Sequence, residues 1–100
     1  MDKYRVRLYP KAFKDIDGIF AYIAENKQSM GNAQKQTNRI RKALKTLEVF
    51  PDSHQDRVEG AYAGKGYKQF LIDNYIAIYK IDEKKHIVNV VTVQYKGRNL

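Results

Sequence analysis

The tightest constraint on the fold lies in the C-terminal third. There, three apolar-rich segments, 67–72, 75–81 and 87–94, are separated by connections too short to hold a helix. Asp73-Asn74 is a two-residue connection, and both residue types tolerate the positive φ that a tight hairpin needs. Asp82-Glu83-Lys84-Lys85 supplies a four-residue turn before the last segment. Strands joined this closely pair antiparallel, since a parallel return needs a crossover of a dozen or more residues. A meander follows. Its last strand, from Ile87 to Val93, is apolar on both faces except at Asn89 and Thr92, which predicts an interior place in the sheet.

The preceding residues decide what covers that sheet. Residues 3–8 alternate, Tyr4, Val6 and Leu8 against Lys3, Arg5 and Arg7, as a half-buried strand does. Pro10 suits the first position of a helix, where its missing N–H costs nothing. Phe13, Ile16, Ile19, Phe20 and Ile23 follow at three- and four-residue steps up to about Asn26. Lys11 and Asp15 stand four apart on the outer side of this helix as a weak surface pair. Lys27 to Asn32 carries turn residues without periodicity. Ala33, Thr37, Ile40, Ala43, Leu44 and Leu47 then repeat at helical spacing until Phe50-Pro51, so a second helix spans about 32–49. So short a connection predicts an antiparallel helix hairpin. The order β-α-α-β-β-β is that of an α+β fold, a helix hairpin packed on a mostly antiparallel four-stranded sheet. At 100 residues the chain reads as a single domain, 1–100. Residues 51–66 hold Pro51, Gly60, Gly64 and Gly66 and lack a sustained pattern beyond a short strand expected at Val58 to Tyr62. Function is commonly carried by such loops.

Several chemistries are disfavoured by composition. Without cysteine, thiol catalysis and thiolate metal sites are absent, and two isolated histidines, His54 and His86, make no zinc centre; both are expected to face solvent. No nucleophile motif, phosphate-binding glycine loop or carboxylate pair occurs, and Gly64-Lys65-Gly66 is too short to count as one. No apolar run is long enough for a membrane span, and Met1 to Arg5 does not open a signal peptide. The expectation is a cytoplasmic protein with no cofactor, no bound metal and no membrane partner.

Nineteen Lys and Arg against eleven Asp and Glu give a net charge of +8, a field that draws in nucleic acid, ribosome or an acidic protein. On the second helix Lys35, Arg39 and Lys42 form one stripe and Arg41 and Lys45 another, opposed by Glu48. That face suits phosphates, and an ordinary solvated helix explains it equally well. A second cluster joins Arg57, Lys65 and Lys68, around the start of the second strand, with Tyr95-Lys96-Gly97-Arg98 at the exit of the last. Brought together, these residues would make a cationic groove with aromatic walls, able to grip phosphates and stack a base. Tyr75 and Tyr79 share a strand face and are expected in the core with hydrogen-bonded hydroxyls, as are Tyr4 and Tyr67.

Taken in order, Tyr4-Arg5-Val6-Arg7-Leu8-Tyr9-Pro10-Lys11-Ala12, the helix from Phe13 to Ala24, Phe50-Pro51, Gly66-Tyr67-Lys68-Gln69-Phe70, the stretch Asn74 to Asp82 and Arg98-Asn99-Leu100 resemble the RelE/ParE superfamily. These are toxins of type II toxin–antitoxin systems, and the resemblance covers nearly the whole chain. It implies a growth-arresting toxin held in a hetero-oligomer by a cognate antitoxin, whose often acidic segment wraps around it. It also implies one of two targets. RelE-like members cut mRNA on the translating ribosome without a metal; ParE-like members inhibit DNA gyrase and cut nothing themselves. For a nuclease, the resemblance assigns catalysis to Lys68, Tyr95, Lys96 and Arg98. The clustering of charge, and not the resemblance, is what assigns target or nucleic-acid binding to Arg57, Lys65, Lys68, Lys96 and Arg98.

Two departures bear on the choice. Ile76 stands where nuclease relatives commonly carry an arginine after the strand tyrosine, and the sequence stops at Leu100, without the extension that carries the terminal tyrosine of RelE. One lost charged donor removes about 2.7–4 kcal/mol of transition-state stabilisation unless Lys80 or Lys96 supplies it. The expectation leans to gyrase inhibition, with a ribosome-dependent mRNA endonuclease and an inactive, degenerate member as alternatives.

Overall fold

A helix hairpin packs on one face of a four-stranded sheet in the computed structural model, which describes residues 3–97. In chain order the elements are β1 (Arg5–Leu8), α1 (Pro10–Asn26), α2 (Met30–Lys45) with a 3-10 turn at Thr46–Glu48, β2 (Lys68–Ile72), β3 (Tyr75–Asp82) and β4 (Ile87–Tyr95). The sheet order is β1-β4-β3-β2. β2, β3 and β4 form the antiparallel meander, and β1 adds to β4 in parallel, so the apolar last strand is interior, as its composition predicts.

Local chemistry sets the helix ends. Pro10 opens α1, and the Ser29 hydroxyl accepts from the Asn32 N–H at 3.1 Å, capping α2 and starting it two residues before the expected position. The inward stripe of α1 also differs from the sequence expectation. Phe13 is 54% exposed, while Ala12 beside it has no exposed surface, because close approach of a helix to a sheet favours the small side chain. Ala12, Ile16, Ile40, Leu44 and Leu47 pack against Ala77, Tyr79, Val88, Val90 and Val93.

The Lys11–Asp15 pair is not a simple surface pair. β1 reaches only from Ile87 to Val90 along β4, leaving the later N–H groups of that edge without a strand partner. Asp15 supplies the acceptor. Its Oδ2 takes the Val93 N–H at 3.1 Å, the Thr92 hydroxyl and the Gln94 amide at 3.4 Å, with Lys11 Nζ at 3.2 Å. A carboxylate on α1 thus completes the hydrogen bonding of a strand edge that would otherwise be left open.

Register assigns the faces. A bulge lies between Ile78 and Tyr79, so Ile78 pairs with Thr92 and Tyr79 with Val90. Lys68, Phe70, Tyr75, Ala77, Tyr79, Val88, Val90 and Val93 therefore share the helix side, while Arg7, Gln69, Leu71, Ile76, Ile78, Lys80 and Asn89 share the other. The strand expected at Val58 to Tyr62 is absent: Gly60 and Gly64 take φ of 78° and 68° and turn the chain instead. Extended pairing occurs just upstream. Gln69 N–H donates to Gln55 O and Arg57 N–H to Tyr67 O, both at 2.8 Å, so residues 55–57 line the outer edge of β2.

Candidate functional site

Lys68 opens β2 and points to the helix side, where the loop closes over it. Its Nζ lies 2.9 Å from Asp56 Oδ1 and donates to His54 O at 3.3 Å. Around it the His54 ring stacks on Phe70 at 3.7 Å between centroids and meets Tyr79 edge-on at 6.2 Å. The expected exposure of His54 is thereby corrected: an aromatic floor half-buries it. Burial first, and the positive charge of Lys68 second, lower its pKa from the usual 6.5. His86, also expected in solvent, stacks on Tyr4 at 4.8 Å.

Tyr79 is fully buried, and its hydroxyl donates to Pro51 O at 2.6 Å. Burial, reinforced by Asp52 and Asp56, raises its pKa beyond the ordinary phenol range, so it stays a neutral donor. This matches the expected core role. Together Lys68, Asp56, His54 and Tyr79 form a clasp that fastens the 51–57 loop to the sheet.

The C-terminal candidates lie elsewhere. Tyr95 pairs with Tyr75, and Lys96 N–H donates to Asn74 O at 2.9 Å, which puts both at the β2–β3 turn. Lys68 pairs with Tyr79 at the opposite end of β2. Four residues at about 3.3 Å each separate the two ends by on the order of 13 Å, with β3 between them. The single groove that the sequence would allow is not what the register builds. Tyr95 is 52% exposed and sits edge-on to Tyr75 at 6.1 Å. The pKa of Tyr75 is raised, by burial first and then by its neighbours Tyr95, Tyr22 and Asp73. Arg98 lies outside the described residues. Arg57 holds the loop: its Nε–H donates to Glu59 O at 2.8 Å and its guanidinium to Gln69 Oε1 at 3.0 Å. Lys65 is exposed on the same loop. Ile76 is 4% exposed, an apolar side chain closed off on the face away from the helices.

The basic stripes of α2 are real, with Lys35, Arg39, Arg41, Lys42 and Lys45 and no acidic residue from Met30 to Lys45. Arg39 is held by Asp73 at 2.7 Å. With Lys42 it rims a cleft of about 320 Å³ walled by Ala43, Phe70, Leu71 and Ile72, where Leu71 is 59% exposed. Sequence reasoning missed this cleft, because its two walls are about thirty residues apart in the chain; an exposed leucine on an edge strand was the available signal. Among the described residues no group of three or more His, Cys, Asp or Glu could hold a metal ion, and no helix is long and apolar enough to cross a membrane.

Residues 6–100 match the family model described as the ParE toxin of type II toxin–antitoxin system, parDE. None of the curated proteins compared with the chain matches it. Among solved structures, the chromosomal ParDE toxin–antitoxin system from P. aeruginosa is similar, with a TM-score of 0.74 at 14% identity over 93% of this chain and 96% of that one. The RelBE2 toxin–antitoxin complex of Mycobacterium tuberculosis follows at a TM-score of 0.70 and 16% identity, over 93% and 98%. The archaeal RelE–RelB complex from Pyrococcus horikoshii OT3 gives 0.65 at 14% identity, over 96% and 98%. At such identities the likeness is one of fold, and it extends to ParE and RelE structures alike.

Proposed function

The chain belongs to the ParE toxin family and is a toxin of a type II toxin–antitoxin system, and from that premise we propose that it arrests bacterial growth by binding DNA gyrase, without cutting RNA. The observation that carries this reading is the dispersal of the groups a nuclease would need. Lys68 is tied to Asp56 on the helix side, Tyr95 and Lys96 lie at the far end of β2, and apolar Ile76 faces away from the helices. General acid–base catalysis needs its groups within hydrogen-bond reach of one phosphate. A binding toxin needs only a complementary surface, and a net charge of +8 provides the field for an acidic partner. The same field suits a cognate antitoxin with an acidic segment, held with the toxin in a hetero-oligomer in the cytoplasm. The test is DNA supercoiling by purified gyrase: the protein inhibits it, and supercoiling unchanged at high molar excess overturns the reading.

One observation favours the nuclease instead. Tyr95 is exposed beside Lys96, where a phenol and a cation could act together on RNA. Primer extension on translated mRNA decides. Absence of A-site cuts, or cuts that survive combined Tyr95→Phe and Arg98→Ala substitution, ends that alternative.

A further inference from the structure

Three tyrosines from three elements converge at the end of the molecule where β4 leaves the sheet. Register sets Tyr75 of β3 opposite Tyr95 of β4, with ring planes 80° apart and centroids 6.1 Å apart. The third ring comes from α1. Asp15 meets β4 at Thr92 to Gln94, and Tyr22 follows two helical turns later on the same helix face, about 10.5 Å further along. That advance carries Tyr22 to the level of Tyr95, where, after burial and Tyr95, it adds to the raised pKa of Tyr75. Tyr22 is 61% exposed, and so is Met30, which opens α2 at the same end of the helix hairpin. With Tyr95 these side chains leave on the order of 300 Å² in solvent, the size at which an exposed patch on a monomer is often functional.

Tyr95 is exposed and yet held. A Cβ on Gly97 would lie 2.9 Å from its Cε2 and 3.2 Å from its Cδ2, so the chain leaving β4 folds against the ring at a distance that only glycine permits. Tyr75 stands on the ring's other side. A ring fixed in this way has already given up rotamer freedom, and a partner that covers it loses little more. Asp73, the acid beside Tyr75, is taken up by Gln36 and Arg39 at 3.0 and 2.7 Å. Lys96 next to Tyr95 has no ion pair among the described residues, so the charge left at the margin there is positive.

The angle between the rings separates a protein partner from a nucleic acid. Successive bases of a strand lie parallel, and rings 80° apart cannot both stack on them. One unpaired lysine also gives little grip on a phosphate backbone. Aromatic rings and a methionine at the centre with a charge at the rim are instead the composition of a protein–protein hot spot. We propose that Tyr22, Tyr75 and Tyr95 form the anchor by which this toxin grips gyrase, seated in an apolar recess of that enzyme with acidic residues facing Lys96. The inference deepens the gyrase reading and rests on it.

The experiment measures two quantities for the full-length protein, inhibition of supercoiling and surface-plasmon-resonance binding to purified gyrase. Tyr22→Ser and Tyr95→Ser each raise the half-inhibitory concentration by about 10-fold or more, chiefly through faster dissociation. Tyr95→Phe keeps the ring and stays within about 3-fold of the parent. Gly97→Ala retains every tyrosine but displaces the Tyr95 ring, and weakens binding about 3–5-fold. Phe50→Ser removes an aromatic ring that is 62% exposed elsewhere and shifts binding less than about 2-fold. Circular dichroism confirms that each variant is folded. A parent protein that neither binds nor inhibits gyrase overturns the gyrase reading and the anchor with it. Inhibition by the parent that survives Tyr22→Ser and Tyr95→Ser overturns the anchor alone. So does a loss from Tyr95→Phe as large as that from Tyr95→Ser, which would put the hydroxyl and not the ring at work, or a parent dimer that the serine variants dissociate while inhibition is unchanged.

Discussion

The clasp around Lys68 and the corner around Tyr95 are built from the same materials, a lysine, an aspartate and tyrosine rings, and they end in opposite states. In the clasp every group is answered from within: Lys68 by Asp56 and His54 O, Tyr79 by Pro51 O, and His54 by the Phe70 ring. In the corner Tyr22 and Tyr95 stay more than half exposed, and no ion pair is found for Lys96 among the described residues. Residue type alone therefore does not mark a site. What marks one is chemistry left unanswered, and the clasp, although it holds the more obvious sequence candidate, is closed.

If the clasp is structural, breaking it costs stability. Tyr79→Ala removes a fully buried ring and should lower unfolding free energy by about 3–5 kcal/mol, while Tyr79→Phe, which strands only the Pro51 carbonyl, costs about 1–3 kcal/mol. Urea denaturation separates the two. Asp15→Ala comes next, at about 1.5–3 kcal/mol, because the Val93 N–H and the Thr92 hydroxyl lose a charged acceptor. Nothing comparable is expected from Tyr22→Ser or Tyr95→Ser, which should stay within about 1 kcal/mol of the parent because both rings are more than half exposed. A large destabilisation by either would erase the contrast between the two regions.

Acidity gives a smaller and more selective test. The pKa of His54 in the folded protein lies below 6.5, so the unfolded chain takes up the proton first as pH falls. His54 then contributes a stability loss that begins near the unfolded value of 6.5 and ends below the lowered folded value. Urea midpoints measured from about pH 7.5 down to about pH 5.5 should fall more steeply for the parent than for His54→Phe, which keeps the stacking on Phe70. Parallel curves contradict the burial of His54. A small effect is also expected at Lys68 itself. Asp56 is 76% exposed, so Lys68→Met should change stability by less than about 1 kcal/mol despite the 2.9 Å ion pair.

The sequence and the structure part company where contacts are long in range. Periodicity placed both helices and the meander because burial repeats every two or 3.6 residues, and Ile87 to Val93 could be read as interior from its apolar faces alone. Phe13 misled for a physical reason: periodicity rewards large apolar side chains, whereas the closest helix–sheet contact went to Ala12. Residues 55–57 pair along β2 through their backbones, which no side-chain pattern announces. Lys68 was visible as a charge, but its pairing with Asp56 across the loop was not. The tyrosine corner depends on the register that sets Tyr75 opposite Tyr95 and on the bulge at Ile78/Tyr79, and a slip of one residue would send Tyr95 to the other face.

The central claim is that this toxin works by binding and not by cutting. Induced expression in a bacterial host, with the DNA-damage response and protein synthesis followed separately during the first minutes of arrest, tests it most directly. The account predicts a DNA-damage response while translation continues. Translation that stops first, with no damage response, would contradict it.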